Sequence, residues 1–496
     1  MQKSKSSLNW FSYITVNVFY LGLSTNSQIM TPLVVPLLIQ RFAGEAQKGA
    51  FYGTQRLWGL MVALLAQAFW GLLSDRSTLR WGRRRPFILI GTLFNLVFIT
   101  VIGFSARLEG MTGYWFLFTI LILLQISSNM AHAAQQGLIP DVVPLERRGR
   151  FSAVKALFEV PLPVILVAFT ASKLIAAGNM WGGIFIAMGV FAVSMILTMF
   201  VPEEPLREKP PALDWQPFLR LVLMTALFTV IILGTGQLVN WLSAGLLAGV
   251  ESPVTLFIVM GVLGLAAMAV AVGLGVWMSV RISMGSAAKE NPSFTWWVMN
   301  RLAFLVGVVN LTSFAVYFLQ ARLNLPKEKA AGPTGTLMQI VGIFILIMAL
   351  LSGWLADRVS RKLLVAIAGV VAAVGIFIVV IAPNLTVIYV GGLFIGAATG
   401  IFYTANWALG TELVPKEEAG RYLGISNLAG AGAGAVGAFI GGPIADFLTA
   451  RAPAVPGLGY TLLFAIYGVL FLLSVAALAK VKEPAKSRTP RVSLGD

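Results

Sequence analysis

The 496-residue chain is 58% hydrophobic and 11% charged, with 36 Lys and Arg against 20 Asp and Glu, one His and no Cys. A soluble domain carries about 25% charged residues, so an ordinary soluble globule is excluded. The missing cysteine excludes disulfides and thiolate metal sites, and one histidine cannot build a multi-histidine centre.

Apolar runs longer than the ~18–20 residues of a spanning helix recur along the chain. They are continuous rather than alternating, which selects an all-α polytopic membrane protein over a β-barrel. Met1–Asn9 is polar and basic, and the run after it lacks an A-x-A-like cleavage site, so a retained first helix is expected. Spans are predicted near 10–40, 49–74, 86–105, 114–139, 150–176 and 181–201. A polar linker, 202–217, precedes two spans near 218–248 and 254–282. Six more lie near 294–321, 334–356, 363–382, 386–412, 421–448 and 459–480, making about 14.

Loop charge tests this layout. The side carrying the N-terminus collects 24 basic residues and the other side 8. The positive-inside rule then puts both termini in the cytoplasm, in an inner (plasma) membrane. Topology thus accounts for the net charge of +16, and no nucleic-acid partner is implied.

The densest charge is Asp75-Arg76-Ser77-Thr78-Leu79-Arg80-Trp81-Gly82-Arg83-Arg84-Arg85-Pro86, between the second and third spans. An abbreviated copy, Ala356-Asp357-Arg358-Val359-Ser360-Arg361-Lys362, follows 282 residues later. A second pair aligns at an offset of 271: Asp141, Pro144, Gly149 and Arg150 with Glu412, Pro415, Gly420 and Arg421. Two parallel six-helix halves with a helix pair inserted between them explain both offsets. The expected units are a bundle at 1–201, the linker at 202–217, the inserted pair at 218–284, a second bundle at 285–482 and a tail at 483–496.

Two six-helix repeats with G-x-L-A-D-R-x-x-R-K between second and third helices resemble the major facilitator superfamily. Gln67, Gly71-Leu72-Leu73-Ser74-Asp75-Arg76-Ser77-Thr78 and Gly82-Arg83-Arg84-Arg85-Pro86-Phe87-Ile88 resemble the sucrose–proton symporter branch. Thr31-Pro32 and Gln136-Gly137 are weaker echoes of it. The resemblance implies a major facilitator fold, here with two added helices, and alternating access around a midplane site. It also implies a role in proton coupling for an acid and an arginine matching Asp141 and Arg150.

A cytoplasmic gate is expected from Asp75, Arg76, Arg83 and Arg84 and from Asp357, Arg358, Arg361, Glu412 and Arg421, with Asp141 and Glu412 facing Arg150 and Arg421. The alternative is loop anchoring in headgroups. For proton coupling, Glu159 reads as the only carboxylate well inside a span, and His132 as its neighbour on the preceding helix. Ionisable groups at that depth are costly and point to function; a Lys155–Glu159 i,i+4 pair is the competing reading. Gln125, Asn129, His132 and Gln136 share one helical face. Asn17, Tyr20, Ser24 and Gln28 on the first span, Asn310, Ser313, Tyr317 and Gln320 on the span near 294–321, and Tyr403, Asn406 and Trp407 supply further polar groups and rings suited to a sugar-like ligand, with interhelical hydrogen bonding the alternative. Arg56 reads as a snorkelling side chain, anion binding being the other option. Pro161 and Pro163 should bend their helix.

The reading is a monomeric carrier of a small solute and protons, embedded in lipid, with no cofactor, no metal and no enzymatic motif. The preferred function is proton-coupled symport of a sugar or glycoside. The alternatives are proton-driven export of drugs or amphipathic metabolites and a non-transporting pigment-assembly factor.

Overall fold

The computed structural model describes residues 9–206, 214–285, 291–356, 358–414 and 419–482, without the side chains of 419–424. Asp357 and the side chain of Arg421 lie outside the described residues. Thirteen described helices are long and apolar enough to cross a membrane, and a broken fourteenth segment precedes them.

That first segment, α1, joins Val18–Ile29 and Val35–Ala43 through a π-helical turn, Met30–Val34. Pro32 falls inside the turn. It lacks the amide that regular helix needs, and the wider turn absorbs the mismatch. The first half continues with α2 (Lys48–Asp75), α3 (Arg85–Ser105), α4 (Gly110–Val142), α5 (Leu145–Ala176) and α6 (Met180–Thr198). The inserted pair is α7 (Gln216–Leu246) and α8 (Pro253–Met284). The second half comprises α9 (Pro292–Leu323), α10 (Ala331–Ala356), α11 (Arg361–Ile381), α12 (Leu385–Leu413), α13 (Ala419–Arg451) and α14 (Leu458–Leu478).

As anticipated from its prolines, α5 is interrupted. Helix stops at Glu159 and restarts at Pro161, with Val160 at φ −121°, ψ −70°. A second interruption at Thr170 had no sequence signal.

Successive spans alternate direction, which defines an arginine face, carrying 75–85, and a far face. The two halves meet through α1 with α9, α2 with α13 and α5 with α10. The α2–α13 seam is glycine-lined because the backbones nearly touch. A Cβ on Gly53 would overlap the Ala438 carbonyl, and one on Gly442 the Gly49 carbonyl. Only glycine permits that approach. The inserted pair packs against the second half: α7 and α8 on α13, and α8 also on α9 and α14. The α7 helix additionally touches α2, with Phe218 5.9 Å from Phe69. It therefore flanks the seam between the halves.

Candidate functional site

The far face is closed by contacts that cross between the halves. Asp446 on α13 accepts hydrogen bonds from the amides of Gly49 (3.0 Å) and Ala50 (2.7 Å). These are first-turn donors of α2, which have no partner inside their own helix. Gln40 and Gln320 exchange paired amide bonds of 3.0 and 3.1 Å. Buried Lys48 donates to Gln320 at 3.3 Å and to Glu45 at 2.8 Å, beneath the rings of Tyr317 and Tyr460. The Tyr317 hydroxyl donates to the Pro36 carbonyl at 2.6 Å.

Within this plug the sequence singles out only Tyr317 and Gln320, both as residues expected to contact substrate. Asp446 joins Glu159 as a carboxylate within a span, five residues from the end of α13. Its place near a helix end disguised it, and its partners lie almost 400 residues away. The neighbouring Gly441, Gly442 and Pro443 were its available signal.

At the arginine face, every ion pair described lies within one half. Buried Arg84 bridges Asp75 and Asp141, donating to Asp141 at 2.8 Å and to Ser74 at 2.7 Å. Arg83 also pairs with Asp141. The guanidinium of Arg84 crosses Gly137, where any Cβ would overlap it. Glu203, from the linker, caps α3 by accepting from the amides of Arg84 (2.6 Å) and Arg85 (3.1 Å). Burial pushes its carboxyl above the ordinary range, against the pull of those amides and of the Arg85 guanidinium.

In the second half Arg361 pairs with Glu412, and Arg358 stacks on Trp354 at 3.9 Å. The expected facing of Asp141 and Arg150 is not formed. Pro144 ends α4 and starts α5, which carries Arg150 to an exposed position, while Asp141 turns to the start of α3. Arg76 sits at the end of α2.

Between the plug and the arginine face lies a cavity of about 290 Å³. Its walls are mostly aliphatic, including Val164, Val308 and Ile345, with Gln28, Thr31, Thr312 and Tyr403 as polar points. Arg56 lines it and is 9% exposed. It does not snorkel, because α2 turns this side chain toward α13 and away from lipid.

The predicted polar residues form two flanking groups. On the first half, Gln136 bonds Gln67 and His132, each at 3.2 Å. The ring of buried Tyr20 meets His132 edge-on at 6.3 Å, with the Lys155 ammonium 4.5 Å from its centre. Lys155 is 3.6 Å from Glu159. Asn129 donates to the Gln125 carbonyl at 2.8 Å, and Asn17 to that of Tyr13 at 2.9 Å.

On the second half, Arg301 donates to Asn406 at 3.0 Å between the rings of Trp297 and Trp407. Asn406 donates to Asn300 at 2.9 Å, while Trp407 and Tyr403 are exposed. Asn310 ties α9 to α13 through the Ala433 carbonyl at 3.0 Å. Of the residues expected to bind substrate, Gln28, Ser313 and Tyr403 line the cavity. No group of three or more metal-ligating side chains occurs among the described residues.

The architecture is that of an integral membrane protein with two related helical bundles around a central cavity. The Major Facilitator Superfamily model matches residues 14–324, 280–438 and 331–494, and the chain belongs to that family. It is 34% identical over 160 residues to the sucrose transport protein SUC3 of Arabidopsis thaliana, covering 28% of this chain and 24% of that protein. It is 39% identical over 88 residues to the minor myo-inositol transporter IolF of Bacillus subtilis (strain 168), covering 18% and 20%. The chain thus spans about a quarter or less of the length of these two relatives. The crystal structure of the nucleoside transporter NupG superposes with a TM-score of 0.63 at 12% identity, covering 94% of this chain and all of that one. These relatives are transporters, not enzymes.

Proposed function

We propose that the chain is a secondary active transporter working by alternating access, importing a sugar or glycoside-like solute together with protons. One-sided closure carries the proposal. The inter-half contacts described in side-chain detail gather toward the far face, whereas the ion pairs at the arginine face each stay within one half. A cavity stoppered at one end is what one access state requires. The arginine face is then the cytoplasmic one, and this is the inward-facing state of a monomer, with halves at 1–201 and 285–482 and the insertion at 218–284.

The names of the matched relatives support sugars. Lys155, Glu159, Tyr20 and His132 form the one cluster in the first half where a proton could be exchanged beside the solute path, and we assign coupling to Glu159 and His132. The pairs around Asp75, Arg83, Arg84, Asp141, Arg361 and Glu412 would re-form across the halves, or brace each half, when the cytoplasmic side closes.

The test is uptake of labelled sucrose, inositol and aryl glycosides into proteoliposomes with an imposed pH gradient. Gradient-driven uptake that is lost in Glu159→Gln or His132→Ala is expected. Uptake indifferent to the gradient would remove the proton from the scheme. The aliphatic cavity walls favour a second reading, proton-driven export of an amphipathic metabolite; efflux of a hydrophobic dye without sugar uptake would select it.

A further inference from the structure

Among the described residues, Arg56 is the only charged side chain lining the cavity. It is 9% exposed, and its Nε has no hydrogen-bond partner. Nor is Arg56 in any ion pair described for the chain. It stands eight residues into α2, about 12 Å from that helix's far-face end. Its guanidinium lies along α13 at Gly434, where a Cβ would come within 3.5 Å of Nη2. The carboxylates on α13, in the α1–α2 loop and on α5 are committed elsewhere: Asp446 to the amides of Gly49 and Ala50, Glu45 to Lys48 and Lys327, and Glu159 to Lys155.

A guanidinium cannot shed its proton, and taking it out of water without a counter-charge is costly. Arg301 also has an Nε without a partner, but Asn406 and two indoles surround its guanidinium, whereas no hydrogen bond or ring contact is described for Arg56. What Arg56 lacks is an anion, and the space beside it is the solute cavity.

We propose that the cavity takes an anionic glycoside, a sugar ring bearing a carboxylate and an apolar substituent, with the carboxylate held by Arg56. The planar fork of arginine suits a carboxylate, which accepts two parallel N–H bonds. Thr31, Thr312 and Ser313 offer hydroxyl partners to a ring, and the aliphatic walls suit the substituent. The proposal rests on reading this cavity as the solute site.

The test is binding of a matched pair, phenyl β-glucuronide and phenyl β-glucoside, to the detergent-solubilised full chain near neutral pH. The two differ only in the carboxylate. The glucuronide should bind at least about tenfold more tightly. Arg56→Gln should bring the two within about twofold by weakening the glucuronide, and Arg56→Lys should keep part of the preference. Benzoate, a carboxylate on an apolar body, should displace the glucuronide from the unmodified protein, a readout that needs no variant to fold. Equal binding of the pair, a preference that survives Arg56→Gln, or failure of benzoate to compete would each overturn the anion assignment. Glucoside binding without that preference would leave the sugar reading standing. Binding of neither glycoside would overturn both.

Discussion

Arg84 does at the residue scale what the loop's five arginines suggested collectively. It is buried, and it satisfies two carboxylates and a serine hydroxyl at once. Arg84→Ala leaves Asp141 paired with Arg83 and Asp75 half exposed, so it should lower the stability of the protein by on the order of 1 kcal/mol, the loss of the hydrogen bonds Arg84 makes. Arg84→Lys should recover only part of that, because an ammonium cannot span both carboxylates. Thermal melting in detergent measures both. The residue types here were readable from the sequence, but the partners were not. Asp141 lies nine residues from Arg150 in the chain yet faces Arg83 and Arg84, because a proline redirects the helix between them. The Lys155–Glu159 pair, by contrast, followed directly from i,i+4 spacing. Arg56 was visible only as a charge in a span. Which way it points depends on how α2 is rotated, and a helix apolar on most sides leaves that rotation unspecified.

Among the elements, α2 and α13 carry the closure of the far face. Asp446 bonds two backbone amides there, and a hydrogen bond to a charged group contributes about 1.5–3 kcal/mol. Asp446→Ala should therefore shift the population toward the state open at the far face. Gly53→Leu should do the same by a separate route, since its side chain would meet the Ala438 carbonyl. The chain has no cysteine, so spin labels on cysteines introduced at Ala43 and Leu323 would report the span between α1 and α9 without background. Longer distances in both variants are expected; unchanged distances would mean the seam is held by other contacts. The helices themselves were legible because length and hydropathy decide a membrane span. Their internal breaks were legible only where a proline announced them, at Pro161 and not at Thr170.

Across the whole molecule, the pH response of closure can be worked out from Glu45, in the loop between α1 and α2. Burial raises its carboxyl, but bonds from Lys48, Gln40 and Lys327 outweigh this, and the group sits below the ordinary carboxylate range. A carboxyl depressed in the closed state favours closure above its open-state value, and that contribution is lost as pH falls through the lower, closed-state value. The Ala43–Leu323 distance should thus hold from neutral pH down into the ordinary carboxylate range and lengthen only as pH falls below it. Lengthening already near pH 6 would assign the sensitivity to another group.

Motion between the halves has a further cost, set by the inserted pair. Because α7 and α8 are packed on α9, α13 and α14, they travel with the second half, and the contacts of α7 with α2, Phe69–Phe218 among them, must part. A disulfide joining Phe69→Cys to Phe218→Cys should arrest turnover, and a reductant should restore it. When that contact parts, acyl chains must fill the crevice left between α2 and α7. The bilayer then becomes a working component of the cycle, and turnover should slow in tightly packed, saturated lipid.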